Sequence, residues 1–270
     1  MSTQLFIITA QTNLHVGSGD SNYGIIDNLV QRDVLTELPH IHASSLKGAL
    51  REFYEEVIGD KIKAVSIFGS DPTNKEKDKA QKGSHSFFEA HLLVMPVASN
   101  VGNFFRATTK ERIENLINVA KNMGGSISVE NTAALKLITN MTVKRGHPIV
   151  FVEHLNGFQG EVFLGDFNAV KQQNSVAYPE TILGDRLAIF HEDDFKTLCD
   201  NEHLPVIARN QLENGVSKNL WYEQIVPRES RFFMLLHQPN NTFSDTINGK
   251  VIQIGANATV GYGYCAFNTL

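Results

Sequence analysis

Lys47 and Arg51 stand four positions apart, just after the pair Ser44-Ser45, in the segment ASSLKGALR. A cation pair at that spacing lies on one face of a helix. A helix that starts at the serines also turns unpaired backbone N–H groups outward from its first turn. Both features suit a phosphate, although a solvated helix face has the same composition. Upstream, Gly17, Ser18 and Gly19 make a small-residue turn, and an irregular stretch then carries Asp27, Gln31, Arg32 and Asp33. A lone loop carboxylate such as Asp27 is either a turn former or cap, or a group that binds Mg2+ or positions a water or a ribose hydroxyl. His15 can carry a proton or pair with a phosphate, as imidazoles do near neutral pH. Read together, Leu14 to Arg51 form a polyanion cradle with a carboxylate beside it.

Other chemistry is excluded or left open. Gly255, Gly261 and Gly263 near the C-terminus allow positive φ and close backbone approach, as a ligand loop or a structural hairpin requires. No Gly-Lys-Ser/Thr follows, so this is not a Walker loop, and the strand-like tail after it does not fit a dinucleotide fingerprint. His40 and His42 are two apart, as on one face of a strand, but no third ligand is evident and no HExxH occurs. The sequence therefore predicts no zinc site. Nothing supports a Ser-His-Asp hydrolase.

Composition sets the frame. The chain has 270 residues and a formal net charge of −5. A free nucleic-acid binder is usually basic, so strong solitary DNA or RNA binding is not expected, whereas a basic groove on an acidic body is compatible. Cys199 and Cys265 are the only cysteines and lie far apart. That pattern fits a reducing cytoplasm and excludes a disulfide scaffold and a cysteine zinc site. No apolar run is long enough for a membrane helix, and the N-terminus lacks the basic region of a signal peptide.

Several elements must hold the cradle. Residues 4–10 read as a buried strand, and 11–42 as a long ordered connection. Ser44 reads as the N-cap of a helix to about Val57, with Leu46, Leu50, Phe53, Tyr54 and Val57 as its apolar face and Gly59 as its stop. Residues 69–84 read as a mobile surface loop, 87–94 as a strand, and 109–123 as a helix closed by Gly124-Gly125. From 126 to 170 the pattern is β-like, with a turn at Arg145-Gly146-His147-Pro148. Residues 193–200 suit a short helix with an acidic start. Strands at 205–209 and 220–225 flank a polar hairpin tip, a strand follows at 231–237, and a strand, glycine turn and strand close the chain. Strands segregated from few helices predict an α+β fold with an antiparallel sheet. One elaborated domain over 1–270 is expected, with mobile insertions near 69–84 and 170–186.

The blocks HVGSGDSNYGIIDNLVQRD, PHIHASSLKGALR, IFG at 67–69, LWYEQIVPRES and the terminal glycine turn occur in an order that resembles the RAMP superfamily of CRISPR effector proteins. The combination of GIIDNLVQRD with LWYEQIVP is most similar to the repeated backbone subunit of the type III-B, Cmr-type complex, ahead of its type III-A relative. The resemblance runs from about residue 4 to the C-terminus, with few diagnostic residues between 70 and 200. It implies a ferredoxin-like, RRM-type core with insertions, one of them a projecting thumb hairpin. It also implies a filament of copies along a guide RNA, other Cmr-type subunits as partners, and a single-stranded target RNA cut at regular intervals with a divalent metal, Mg2+ or Mn2+. On this resemblance Asp27 matches the catalytic aspartate and a candidate metal ligand. His15 and Glu223 match positions of the same cleavage centre. Lys47 and Arg51 match guide-backbone contacts, flanked by Ser44, Ser45, Gly17 and Gly19, and Gly255, Gly261 and Gly263 match the glycine-rich loop. Ala256 and Asn257 depart from the pattern, where a further glycine or an acidic residue is expected. Contacts summed along a filament ease the conflict with the acidic charge, because each subunit need neutralise few phosphates. The alternatives are a purely structural filament subunit and a stand-alone guide-processing endoribonuclease. The acidic charge and the lack of a His-Tyr-Lys cluster oppose the latter.

Overall fold

Alternation along the first strand sets the architecture. In β1 (Ser2–Ala10), Phe6, Ile8 and Ala10 enter one apolar cluster, while Leu5 and Ile7 enter another. A strand that is apolar on both faces must be covered on both sides. The computed structural model describes residues 1–19, 25–70, 80–174 and 176–270. After β1 come β2 (His40–Ile41), α1 (Ala43–Phe53), α2 (Lys61–Phe68), β3 (Ser86–Phe87), β4 (Ala90–Ala98) and β5 (Phe104–Thr109). The middle holds α3 (Lys110–Asn122), α4 (Val129–Thr139), β6 (Ile149–Phe151), β7 (Val162–Leu164), β8 (Phe167–Gln172), α5 (Glu180–Leu183), β9 (Leu187–Phe190) and α6 (Glu192–Cys199). The chain ends with β10 (Val206–Glu213), β11 (Val216–Gln224), β12 (Arg231–Gln238), α7 (Thr242–Ile247), β13 (Lys250–Gln253) and β14 (Tyr264–Thr269).

The result is an α+β fold around a large, mostly antiparallel sheet. Its 12 strands run β13-β14-β1-β12-β4-β5-β9-β6-β8-β7, with β2 beside β4 and β3 beside β12. The run β14-β1-β12-β4 is antiparallel throughout, and β5–β9 and β6–β8 are parallel. On one face Leu46 and Leu50 of α1, Phe68 of α2 and Phe243 of α7 cluster with Phe6, Ile8, Phe232 and Met234. On the other, Ile113 and Leu116 of α3 and Leu135 and Ile138 of α4 cluster with Leu5, Ile7, Phe233 and Leu235. Cys199 and Cys265 are buried and unpaired, and burial pushes both thiols up, so neither is a ready nucleophile.

Several expectations need correction. The first long helix begins at Ala43 with His42 at its cap position and no side-chain cap, so Ser44 lies inside the first turn. That helix passes into a π-turn over Tyr54–Ile58 and stops at Gly59, which has φ 78°. The wider turn shifts the register, and Val57 is 68% exposed instead of facing the core. The stretch 129–139, expected to be β-like, is the helix α4. Ser128 Oγ accepts from Asn131 N at 3.1 Å and caps it. Its inward face is short, and that leaves little 3.6-residue signal in the sequence. Residues 176–186, expected within a mobile insertion, are integral to the fold: Ile182 and Leu183 are fully buried. The other expected insertion, 69–84, falls largely on 71–79, outside the described residues.

β10 and β11 form a sheet of their own, apart from the main one. Glu213 pairs with Val216, so the loop is Asn214-Gly215, and both have positive φ, 52° and 81°. Asn-Gly is the preferred sequence for such a two-residue turn. Most of the hairpin is exposed on both faces, including Leu212, Val216 and Leu220. Among the described residues no helix is long and apolar enough to cross a membrane.

The capped helix gives a direct check. Ser128→Ala should cost about 1 kcal/mol, seen as a Tm lowered by about 2–4 °C in thermal unfolding.

Candidate nucleic-acid interface

Segments far apart in sequence meet at the base of the hairpin. Leu14 and Val226 exchange backbone hydrogen bonds of 2.9 and 2.8 Å. Asp27 N and Asn28 N both donate to Tyr222 O at 3.1 Å, and Gln224 N donates to Asn28 O at 2.9 Å. Gln31 N donates to Val16 O, and Ala256 N donates to His15 O, at 2.8 and 2.9 Å. An irregular layer of residues 14–18, 27–31, 222–226 and 254–263 results, in which loop backbone groups pair with one another and with the end of β11.

Asp27, His15 and Glu223 all belong to this layer, in different states. Asp27 is exposed; its Oδ2 accepts from Tyr222 N at 2.7 Å, and among the described residues its Oδ1 accepts no hydrogen bond. The carboxylate is therefore fixed by one oxygen and open at the other. His15 is buried, with Nδ1 2.6 Å from the carbonyl oxygen of Gln224. That contact makes Nδ1 the donor, and among the described residues Nε2 has no hydrogen-bond partner. Nε2 faces Gly17, where a Cβ would come within 3.2 Å of it.

Glu223 is buried and fully engaged. Its Oε1 accepts from Trp221 Nε1 at 2.8 Å; its Oε2 accepts from Arg209 Nε at 3.1 Å and Asn257 Nδ2 at 2.7 Å. Burial alone would raise its pKa, but the hydrogen bonds from Trp221, Arg209 and Asn257, aided by His15, outweigh burial and hold the carboxyl below the usual glutamate range. These contacts make Glu223 a clamp between both hairpin strands and the C-terminal loop. Asn257 takes a left-handed φ of 69°, so the residue that departs from the glycine pattern still supplies a glycine-like turn and adds a donor. Sequence reading missed Arg209, Trp221 and Asn257 as partners of Glu223, because no local spacing links them.

The three glycines differ. Gly255 and Gly263 have φ 80°, and a Cβ on them would strike the carbonyl oxygens of His15 and Ile254. Gly261 has φ 82° with open space around it. Gly255 and Gly263 thus serve close backbone packing, and Gly261 alone leaves room for a ligand.

The cations stand on α1, whose Leu46 and Leu50 share a buried cluster with Val16, Val30 and Ile254 of the carboxylate layer, and whose start is tied to that layer by Gln31. Gln31 is buried; its Nε2 donates to Ser45 Oγ at 3.1 Å and its Oε1 accepts from His42 N at 2.9 Å. This side chain ties the helix start to Val16 and was not singled out as a site residue. Ser44 and Lys47 are exposed, and no acidic residue lies in the first turn. Arg51 is held internally: it pairs with Glu55 at 2.7 Å and donates to Gly69 O at 3.3 Å. Arg32 is likewise a strut, donating to the carbonyls of Glu37 and Cys199 at 2.7 Å. Gly17 lies against His15, and Gly19 has φ 82° at the edge of the described segment.

Metal-ligand geometry differs between the two regions. Among the described residues Asp27 belongs to no group of three His, Cys, Asp or Glu ligand atoms close enough to share an ion. The protein donors there do not by themselves fit a resident cation. By contrast, His40 and His42 do have a third candidate ligand, Glu89, which the sequence could not place beside them. Burial holds the His40 and His91 imidazoles below the usual histidine range.

Residues 7–266 match the RAMP superfamily. The chain belongs to the RAMP superfamily. Among RAMP proteins it is 30% identical to the "CRISPR system Cmr endoribonuclease Cmr4" of Pyrococcus furiosus, an alignment covering 98% of this chain and 94% of that protein. In structure it is similar to a subunit of a type III-B Cmr-beta complex bound to cognate target RNA, with TM-score 0.78, 23% identity, and coverage of 100% of this chain and 97% of the other. An oligomeric Cmr4 from Pyrococcus furiosus has TM-score 0.71 at 22% identity, covering 100% of this chain and 98% of that one. At those identities the structural likeness is one of RAMP fold.

Trp221 is the sole tryptophan, so it reports on the Glu223 clamp. A depressed folded-state pKa stabilises the fold fully above the ordinary carboxylate value and loses that contribution as pH falls through the folded value. Tryptophan emission should therefore change with a midpoint below about pH 4.3. Glu223→Gln should abolish the transition and lower Tm.

Proposed function

We propose that this chain is the repeated backbone subunit of a type III-B CRISPR effector complex, which binds guide RNA and cleaves the paired target RNA at regular intervals. The full-length match to a Cmr endoribonuclease carries this reading. Its partners are guide RNA, single-stranded target RNA, further copies of itself and the other Cmr-type subunits. Support for RNA and for self-association comes from the target-bound complex and the oligomeric relative.

The finer architecture follows the same reading. The order β14-β1-β12-β4, with α1 and α2 between β1 and β4 and α7 between β12 and β13, is the strand order of a ferredoxin-like core. The separate β10–β11 hairpin is the thumb. Its exposed Leu220 and Tyr222 lie on one face, suited to stacking against bases at a kinked duplex.

Cleavage needs a ribose hydroxyl aligned with the adjacent phosphate, a proton acceptor, and charge stabilisation at the phosphoryl oxygens. Asp27 Oδ1 receives and orients the 2′-hydroxyl while Tyr222 N holds Oδ2. His15 Nε2, given access by the missing side chain at Gly17, takes the 2′-hydroxyl proton as the 2′-oxygen bonds to phosphorus and gives a proton to the 5′-oxygen as the P–O5′ bond breaks. Glu223 acts through position: it sets the hairpin base and so the Asp27–Tyr222 tether. Lys47 and the uncapped first turn of α1, with Ser44 and Ser45, hold guide phosphate. Arg51 joins them only by leaving Glu55. A divalent ion, Mg2+ or Mn2+, would find only Asp27 to hold it among the described residues of this layer and would supply charge neutralisation at the phosphate.

Asp27→Asn in the reconstituted complex should lower target cleavage by about 100-fold, the scale of losing the alignment of the attacking hydroxyl, with guide binding unchanged. Undiminished cutting would support the structural-filament reading instead, to which the internally paired Arg51 and Glu223 also lend weight. Lys47→Ala should weaken guide binding without sequence preference and flatten its salt dependence, by about one unit of log-log slope for the one phosphate it no longer neutralises. Filter binding across a salt series checks this.

A further inference from the structure

At the floor of α1, outside the cleavage layer, three ligand atoms converge from separate parts of the chain. His40 Nε2 lies 3.0 Å from His42 Nδ1 and 3.7 Å from Glu89 Oε2. Glu89 reaches the other way to His91, with Oε1 3.7 Å from His91 Nε2. Asp33 completes a second overlapping group with Glu89 and His91, whose ligand atoms all lie within 4.8 Å of one another. The backbone enforces this meeting: His40 stands directly opposite His91 in the β2–β4 pair, and Glu89 immediately precedes β4.

Hydrogen bonding alone serves this cluster poorly. His40 Nε2, His42 Nδ1 and a Glu89 oxygen lie within 4.8 Å of one another, and two imidazole nitrogens 3.0 Å apart accommodate only one proton between them. A proton shared by the histidines leaves Glu89 without a donor at bonding distance. A cation satisfies all three at once. The spacing also suits one: a tetrahedral ion with bonds of about 2.0–2.1 Å has ligand atoms about 3.3 Å apart, between the separations found. Two imidazoles and a carboxylate, with a further imidazole adjacent, are the donors of a Zn2+-class ion and not of Mg2+.

We propose that His40, His42 and Glu89, with His91 and Asp33 next to them, form a binding site for a transition-metal ion of the Zn2+ class. The ion joins β2 and the first turn of α1 to the corner before β4. It thus holds the end of the helix that carries Ser44 and Lys47. The site is independent of Asp27 and of the cleavage reading.

The test uses the full chain, made without a histidine tag and stripped with a chelator. Zn2+ is titrated against a chromophoric chelator, Co2+ absorption spectra are recorded, and Tm is measured with and without Zn2+. Wild type should take up one equivalent of Zn2+, show visible Co2+ bands of a four- or five-coordinate site, and gain Tm. His42→Gln and Glu89→Gln replace partly exposed residues, so both should fold. Each should lose affinity by more than the roughly 10–100-fold that an outer partner costs, and should lose the Tm gain. His203→Gln, at an exposed His–Asp pair elsewhere, should bind Zn2+ like wild type. The proposal fails if wild type binds no Zn2+, if its Tm ignores Zn2+, or if the His42 and Glu89 variants bind as tightly as wild type.

Discussion

The hydrogen bonds to the carboxylate of Glu223 are the interaction on which the hairpin end of this molecule depends. Among the described residues the β10–β11 hairpin pairs with no further strand and has little core of its own. Glu223 accepts from Trp221 on the same strand, Arg209 on the partner strand and Asn257 in the C-terminal loop. A buried, multiply bonded carboxylate is costly to leave unpaired, so each donor is held in place by the others. Next to it the backbone of Tyr222 and Gln224, with the Gln224 side-chain oxygen accepting from Val30 N, orders the Asp27–Val30 segment, which otherwise has no regular structure.

That clamp works because the sheet beneath it is rigid. β1 and β12 are apolar on both faces and are covered on both sides. The layer with His15 extends directly from β1, and β11 leads through Val226 into β12. Loops that carry chemistry are thereby referred to the central strands, as positioned loops on a fixed scaffold generally are.

Legibility in the sequence followed the range of the forces. Local signals read well: β1, α3, the Gly59 stop and the hairpin turn all appear where alternation, helical spacing or left-handed residues place them. Failures came where tertiary contact decides. α4 shows only Leu135 and Ile138 to the core at its end, so its period was too short to see. Ser44 resembled a cap, but Gln31 supplies the polar contacts at that helix start from outside it. At the site, Asp27 and His15 were named, whereas Arg209, Trp221, Asn257 and Glu89 join their partners only through strand pairing and loop closure.

The attachment of Asp27 to Tyr222 is entirely a matter of main-chain contacts and one carboxylate oxygen. No side chain of the hairpin intervenes. Any change in the tilt of the hairpin base is therefore passed to the Asp27 carboxylate through the hydrogen bonds that Asp27 and Asn28 make to Tyr222.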